Sequence, residues 1–394
     1  MYSFSSSRLP KIEFGSGCFN SLPEIISRYG NSILIVTGGR SFCATEKWQT
    51  LQRALNDRGI IWEHCTVTNE PSPELVDETV ESFADYPFEL VVGIGGGSAL
   101  DAAKAIAGLL KVQRSVMDFL EGVGPELAYE GPAVPFIAVP TTAGTGSEAT
   151  KNAVLSVHGK HGFKKSFRDE KLVADYAIVD PDMLSTCPPS VIAANGMDAL
   201  TQLLESYVSL RANVFSDALA ISGLRAARDG LLPLFHQSGQ STEAREKMAY
   251  AALISGITLA QVGLGSVHGL ASPLGAYYPI PHGVVCGTLV ASATEVNIRA
   301  MLERDPDNRA LDKYARVAEV LCEKRIRDRE KAWEELVSLL NGWTEELQLA
   351  RLNHYGIKED NLDNVIINSR GSSMKTNPVV LTDDEIRSIL VSRI

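Results

Sequence analysis

Four short runs of aliphatic and β-branched residues, each closing on a glycine or a polar turn, constrain this chain more than any other feature. They are "SILIVTGG" (32–39), "ELVVGIGGG" (89–97), "PFIAVPTTAGTGSE" (135–148) and "YAIVD" (176–180). Helical stretches separate them at 44–57, 73–83 and 99–111. Apolar runs without polar alternation are strands buried on both faces. Strands of that kind, spaced by helices, build a parallel, doubly wound sheet. Near residue 185 the pattern changes. "STCPPS" (185–190) carries adjacent prolines and interrupts regular structure. Helical patterns follow at 215–231, 243–261 and 309–325, and "LTDDEIRSIL" (381–390) opens with a capping box of Thr382 and Glu385. The expectation is an α/β N-terminal domain over residues 1–187 and an all-α C-terminal domain over residues 188–394.

Composition fits this and excludes other classes. A 394-residue chain with 45% hydrophobic residues fills the cores of two or three domains. Its net charge of −11, with no basic run, argues against nucleic acid and against anionic membrane surfaces. Six cysteines without a CxxC pair read as reduced thiols. The opening "MYSFSSSRLPKIEFGSG" has no basic n-region followed by an apolar core, and no apolar run nears the roughly 20 residues of a membrane helix. A soluble cytoplasmic protein is expected.

"VVGIGGGSALDAAKAIA" (91–107) reads as strand, glycine turn and helix. Gly96 and Gly97 permit close backbone approach, Ser98 can cap, and a helix N-terminus offers free N–H groups to a pyrophosphate. Glycine turns also end ordinary strands, and the sequence is not GxGxxG. Asp101 and Lys104 read either as a surface i,i+3 pair or as a tether for ribose or cofactor. "PTTAGTGSE" (140–148) places Thr141, Thr142, Thr145 and Ser147 at the carboxyl end of a strand, the edge where open α/β sheets bind ligands. The alternative is a loop whose hydroxyls satisfy its own backbone. Two such turns on one sheet favour a ligand site.

The helix "GMDALTQLLESY" (196–207) sets Asp198 and Gln202 on one face. His268 and His282 fall in "GSVHGLASPLGAYYPIPHGVVCG" (265–287), fourteen residues apart, a spacing that needs a fold returning on itself. A lone histidine is more often structural than a ligand.

Taken together, "GGGSALDAAKAIA", "PTTAGTGSEAT", "AIVDP", "GMDALTQLLESY", "VHGLASPLGAYYPIPHG" and the late "NPVVLT" make the chain resemble the iron-containing (group III) alcohol dehydrogenases over nearly its full length. The resemblance implies an NAD(P)-dependent alcohol dehydrogenase or aldehyde reductase. In that family a dinucleotide domain precedes a helical metal domain, the active site lies in the cleft between them, and homodimers are common. It assigns phosphate contacts to Gly96, Gly97 and Ser98. Further cofactor contacts fall on Thr141, Thr142 and Lys164, with the adjacent Lys165 as an alternative. It implies metal ligation by an aspartate, a histidine four residues later, and two histidines fourteen apart. Asp198, His268 and His282 match, whereas Gln202 stands in place of the first histidine. Ser272 stands where many members carry another histidine.

These departures sharpen the chemistry. An amide oxygen is a weak neutral ligand beside an imidazole, so Fe2+ or Zn2+ should be held more weakly. Two histidines and a carboxylate nonetheless form a recognised metal set. Gln202 is then a weak fourth ligand, a hydrogen-bonding group for substrate, or the mark of a site that has given up its metal, as in metal-independent relatives. With the metal, Asp198, His268 and His282 carry catalysis by activating the alcohol or carbonyl oxygen for hydride exchange with the nicotinamide.

Relatives that use NAD often carry an aspartate after the first strand. This chain has "VTGGRSF" (36–42), with Gly38 at that position and Arg40 close behind. Loss of the carboxylate admits the 2′-phosphate and Arg40 can pair with it, which leans the expectation from NAD(H) to NADP(H). The alternative for Arg40 is a solvated surface side chain. Leu264, Tyr277 and Tyr278 favour a small or medium uncharged alcohol or aldehyde. The rivals are a hydroxyacid–oxoacid transhydrogenase, a dehydroquinate-synthase-like lyase and a non-catalytic binding protein. The absence of Lys and Arg from 260–285 argues against the lyase, which needs a basic pocket.

Overall fold

The computed structural model describes residues 3–159 and 161–394; Met1, Tyr2 and Lys160 lie outside the described residues, including where they fall within the expected 1–187 domain. The chain forms two compact units. Among the described residues, one holds Ser7–Val157 and Lys164–Cys187, and the other holds Pro188–Ile394 with the segments 3–6, 158–159 and 161–163.

The first unit carries β1 (Lys11–Phe14), α1 (Leu22–Ile26), β2 (Ser32–Gly38), α2 (Glu46–Asp57), β3 (Ile61–Val67), α3 (Pro73–Ser82), β4 (Leu90–Gly95), α4 (Gly97–Leu109), β5 (Phe136–Pro140), β6 (Asn152–Val157), β7 (Phe163–Arg168) and β8 (Tyr176–Val179). Six strands form a parallel sheet in the order β1-β8-β5-β4-β2-β3, and β6 and β7 form a separate two-stranded sheet. The central strands are the runs without alternation. Ile33, Leu34, Ile35, Val91, Val92 and Ile137 are all fully buried, as a sheet covered on both faces requires. From β2 the chain winds outward to β3, then returns to lay β4 on the other side of β2. This reversal makes the carboxyl ends of β2 and β4 the topological switch point, where open sheets of this kind bind ligands.

The second unit is helical: α5 (Pro189–Val208), α6 (Val214–His236), α7 (Thr242–Val262), α8 (Ser266–Tyr277), α9 (His282–Arg304), α10 (Arg309–Leu321), α11 (Arg329–Glu346), α12 (Asp363–Asn368) and α13 (Asp383–Val391). The central α5 packs against α6, α7 and α9. The expected capping box is present, with Thr382 accepting from Glu385 N and Glu385 accepting from Thr382 N. Between α7 and α8 the chain bends by 100°, turning on Gly263 at φ 71°, where a Cβ would lie 2.8 Å from Thr376 Oγ1. Among the described residues no single helix is long and apolar enough to cross a membrane.

Candidate active site

The helical unit brings Asp198, His268 and His282 together and adds a fourth group, Cys286. One ligand atom from each lies within 4.8 Å of the others. Asp198 sits mid-way along α5, His268 in the first turn of α8, and His282 begins α9. Cys286 follows four residues later on the same face of α9. Asp198 Oδ1 lies 3.2 Å from His268 Nε2 and 3.7 Å from His282 Nε2. Cys286 Sγ lies 3.6 Å from His268 Nε2 and 3.7 Å from His282 Nε2.

The start of α8 is held by side chains distant in sequence. Its N-cap is Gly265, which has no side chain to offer. Instead Asn377, from the "NPVVLT" segment, accepts from Ser266 N at 3.0 Å, and Glu205 accepts from Val267 N at 2.7 Å. A Cβ on Gly265 would lie 2.9 Å from both of those oxygens, so glycine is needed there. The other oxygen of Glu205 accepts from His268 Nδ1 at 2.6 Å. That bond fixes the ring with Nε2 turned toward Asp198 and Cys286, the carboxylate–histidine arrangement that orients metal-ligating imidazoles. Sequence reasoning missed Glu205, although it stands seven residues after Asp198 and therefore on the same helical face.

The electrostatics fit a cation. Burial would raise the Asp198 carboxyl, but His282, His268 and Gln202 overcome it and hold the group at about 2. Burial would lower His268, yet Cys286, Glu205 and Asp198 keep its imidazole well above the usual range. Burial pushes the Cys286 thiol up to about 12. Asp198 Oδ2 is buried and has no hydrogen-bond partner among the described residues, an expensive condition for a carboxylate oxygen unless an ion takes it. Gln202 is buried at 2% exposure, with its Oε1 3.2 Å from the Ser255 hydroxyl. Ser272 lies half-buried on α8.

In the α/β unit, α4 begins at the switch point. Its N-cap Gly96 is extended and no side chain caps the helix, so the first-turn N–H groups remain open to an anion. The two polar turns meet there. A Cβ on Gly96 would lie 3.2 Å from Thr142 Oγ1, and one on Gly97 would lie 2.7 Å from Thr145 Cγ2. Gly38 ends β2 beside this turn, since a Cβ on Gly95 would lie 3.2 Å from Gly38 N. Ser98 and Thr141 are half-buried, and Arg40 is exposed. Lys164 is ion-paired with Glu70 at 2.6 Å.

Asp101 and Lys104 are not a surface pair. Asp101 Oδ1 accepts from Ser147 Oγ at 2.5 Å and its Oδ2 from Val154 N at 3.2 Å. Lys104 is fully buried and donates to Ser147 O at 2.8 Å, Thr150 Oγ1 at 2.9 Å and Asn152 O at 2.6 Å. Together they lock the "PTTAGTGSE" turn to α4. Both oxygens of Asp101, and the hydroxyl of Ser147, are committed inside the unit.

An uncapped helix at the switch point of a parallel sheet in one unit, and a buried carboxylate–imidazole cluster in the other, define a class: dinucleotide-dependent enzymes with a metal centre. Comparison with known proteins resolves the class to a family. The sequence pattern of the family described as "Iron-containing alcohol dehydrogenase" matches residues 10–181, and that of "Fe-containing alcohol dehydrogenase family, C-terminal" matches 192–394. Alcohol dehydrogenase 4 of Schizosaccharomyces pombe is 31% identical across 96% of this chain and 86% of its own length. The NAD-dependent methanol dehydrogenase of Bacillus methanolicus is 32% identical across 82% of this chain and 81% of its own. The crystal structure of an archaeal halo-thermophilic alcohol dehydrogenase from a Red Sea brine pool superposes with a TM-score of 0.90 at 27% identity, covering 100% of both chains. The chain belongs to the iron-containing alcohol dehydrogenase family and is an NAD(P)-dependent oxidoreductase acting on CH–OH groups of alcohols and the corresponding aldehydes.

Proposed function

We propose that this protein is a metal-dependent reductase of small uncharged aldehydes, reversible toward the alcohols, with a preference for NADP(H). Residues 188–394 serve the metal, through Asp198, His268 and His282, and residues 1–187 serve the cofactor. The observation that carries the reading is the buried cluster with its unpartnered Asp198 oxygen. When bound, the metal polarises the substrate oxygen and the nicotinamide exchanges the hydride.

The chain's own residues prepare that event. Glu205 fixes the His268 ring and leaves Nε2 facing the other donors. Asn377 and Glu205 hold the first turn of α8, so His268 cannot swing away. Gly96 and Gly97 let a pyrophosphate reach the open N–H groups of α4, with Ser98, Thr142 and Thr145 beside it. Lys104 and Asp101 act one layer behind, keeping that turn in place. Thr141 and Lys164 are further cofactor contacts in this reading. The NADP(H) preference is supported by Gly38, which removes the carboxylate that would repel a 2′-phosphate, and by Arg40, which among the described residues has no ion-pair partner. Leu264, Tyr277 and Tyr278 suit an uncharged substrate. Six free thiols support a reducing, cytoplasmic location, and a homodimer is the assembly this reading takes.

The test is cofactor oxidation with a panel of short and medium aldehydes, run with NADPH and with NADH. Turnover faster with NADPH supports the reading. Strong preference for NADH removes the cofactor assignment, and no turnover with any uncharged aldehyde removes the substrate class.

A further inference from the structure

We infer that Cys286 is a protein ligand of the metal, completing with Asp198, His268 and His282 the set of four left short by Gln202, and that the resulting site prefers zinc to iron(II). The inference rests on the metal-dependent reading above and names its fourth donor.

Distances carry it first. With Zn–N and Zn–O bonds of roughly 2.05 Å and a Zn–S bond of about 2.3 Å, the edges between donors around a tetrahedral ion are about 3.3–3.6 Å. Asp198 Oδ1 to His268 Nε2 is 3.2 Å, and Cys286 Sγ to the two Nε2 atoms is 3.6 and 3.7 Å. The sulfur therefore already stands at a ligand's distance from its neighbours. One of the two, His268 Nε2, is the atom that the His268–Glu205 bond turns inward.

Placement carries it second. Cys286 is fully buried, one helical turn beyond His282, so both side chains leave α9 on one face. Gln202, by contrast, has its carbonyl oxygen against Ser255. A buried thiol surrounded by apolar side chains needs no explanation. A buried thiol grouped with two imidazoles and a buried carboxylate, one of whose oxygens has no partner among the described residues, does.

Charge balance favours a divalent ion, and donor softness carries the choice between zinc and iron(II). One carboxylate and one thiolate balance a divalent ion, where a carboxylate with three imidazoles would leave a net positive centre. A thiolate is a soft donor, and zinc exceeds iron(II) in affinity for mixed nitrogen and sulfur sites. On binding, the sulfur lone pair forms the bond to the ion, the thiol proton leaves to solvent, and no electron is transferred.

Cobalt(II) loading of the metal-free full-length chain tests this by absorption. Wild type should show an intense near-ultraviolet sulfur-to-cobalt charge-transfer band. C286S should bind cobalt without that band and, in competition with a chromophoric chelator, about tenfold or more weakly. Q202H/C286S, which restores an imidazole, should recover affinity while the band stays absent. In an equimolar mixture, wild type should take up zinc in preference to iron(II). Cobalt bound to wild type without a charge-transfer band, or spectra identical in wild type and C286S, overturns the assignment of Cys286 and leaves the metal-dependent reading standing. Failure of wild type to bind cobalt, zinc or iron(II) defeats both.

Discussion

Glu205 accepts a 2.6 Å hydrogen bond from His268 Nδ1, and with its other oxygen it holds the backbone of the turn on which His268 sits. One carboxylate thus sets both the ring and the helix start. Glu205→Gln keeps an acceptor but loses the charge that strengthens both bonds. Metal affinity should fall about ten- to a hundredfold, the usual cost of removing a partner behind a ligand. Chelator competition on the purified variant measures this. Unchanged affinity would mean the ring needs no such support.

In the proposed reading the cofactor preference turns on Gly38. A Cβ there meets nothing within 4 Å, so a side chain fits without moving the backbone. Gly38→Asp should raise KM for NADPH about tenfold or more, by repulsion of the 2′-phosphate, while KM for NADH stays level or falls. Steady-state kinetics with both cofactors reads the split. Equal changes for the two would point to damage rather than selectivity.

Lys104 reaches from α4 to four oxygens, two of Ser147 and one each of Thr150 and Asn152. Lys104→Met keeps the volume and removes every donor. It leaves buried carbonyls unpaired and Asp101 without its nearest cation, 3.8 Å away. The expected loss of stability is about 3 kcal/mol or more. Denaturant unfolding of the α/β unit checks it.

Glu148 lies buried beside this network, and burial raises its carboxyl from 4.5 to about 7. The folded chain then keeps a proton that the unfolded chain has lost. The contribution to stability is fully present below about 4.5 and disappears as pH rises through about 7. Burial lowers Lys104 from 10.5 to about 8, so its contribution is present above about 10.5 and is lost as pH falls through about 8. Thermal midpoints of Glu148→Gln, compared with wild type, should lack the decline between pH 4.5 and 7. Parallel curves would contradict the burial account.

Much of this architecture is legible in the sequence. The runs at 32–39, 89–97, 135–148 and 176–180 became β2, β4, β5 and β8, because strands buried on both faces carry an uninterrupted apolar signal. β3, "IWEHCTV", escaped notice because it is an edge strand in which polar and apolar residues mix without a clean period. The two-stranded β6–β7 sheet is hidden for a similar reason, since "FKKSFR" sets charged residues beside aromatic ones without a clean period. At the metal cluster, Asp198, His268 and His282 stood out by motif, whereas Glu205 and Cys286 did not. Their signal was present as helical spacing, seven residues from Asp198 and four from His282. Without the fold, nothing separated those two side chains from ordinary helix residues. Lys104 shows the opposite limit: i,i+3 spacing to Asp101 suggests a surface pair, and only the packing of the polar turn over α4 reveals that the lysine is enclosed.

In the proposed reading, turnover requires a metal held by Asp198, His268 and His282. Metal analysis of the purified protein, with aldehyde reduction measured before chelation, after chelation and after return of zinc or iron(II), tests it most directly. A stoichiometric divalent ion, loss of activity on its removal and recovery on its return are expected. Full activity in metal-free protein would contradict it.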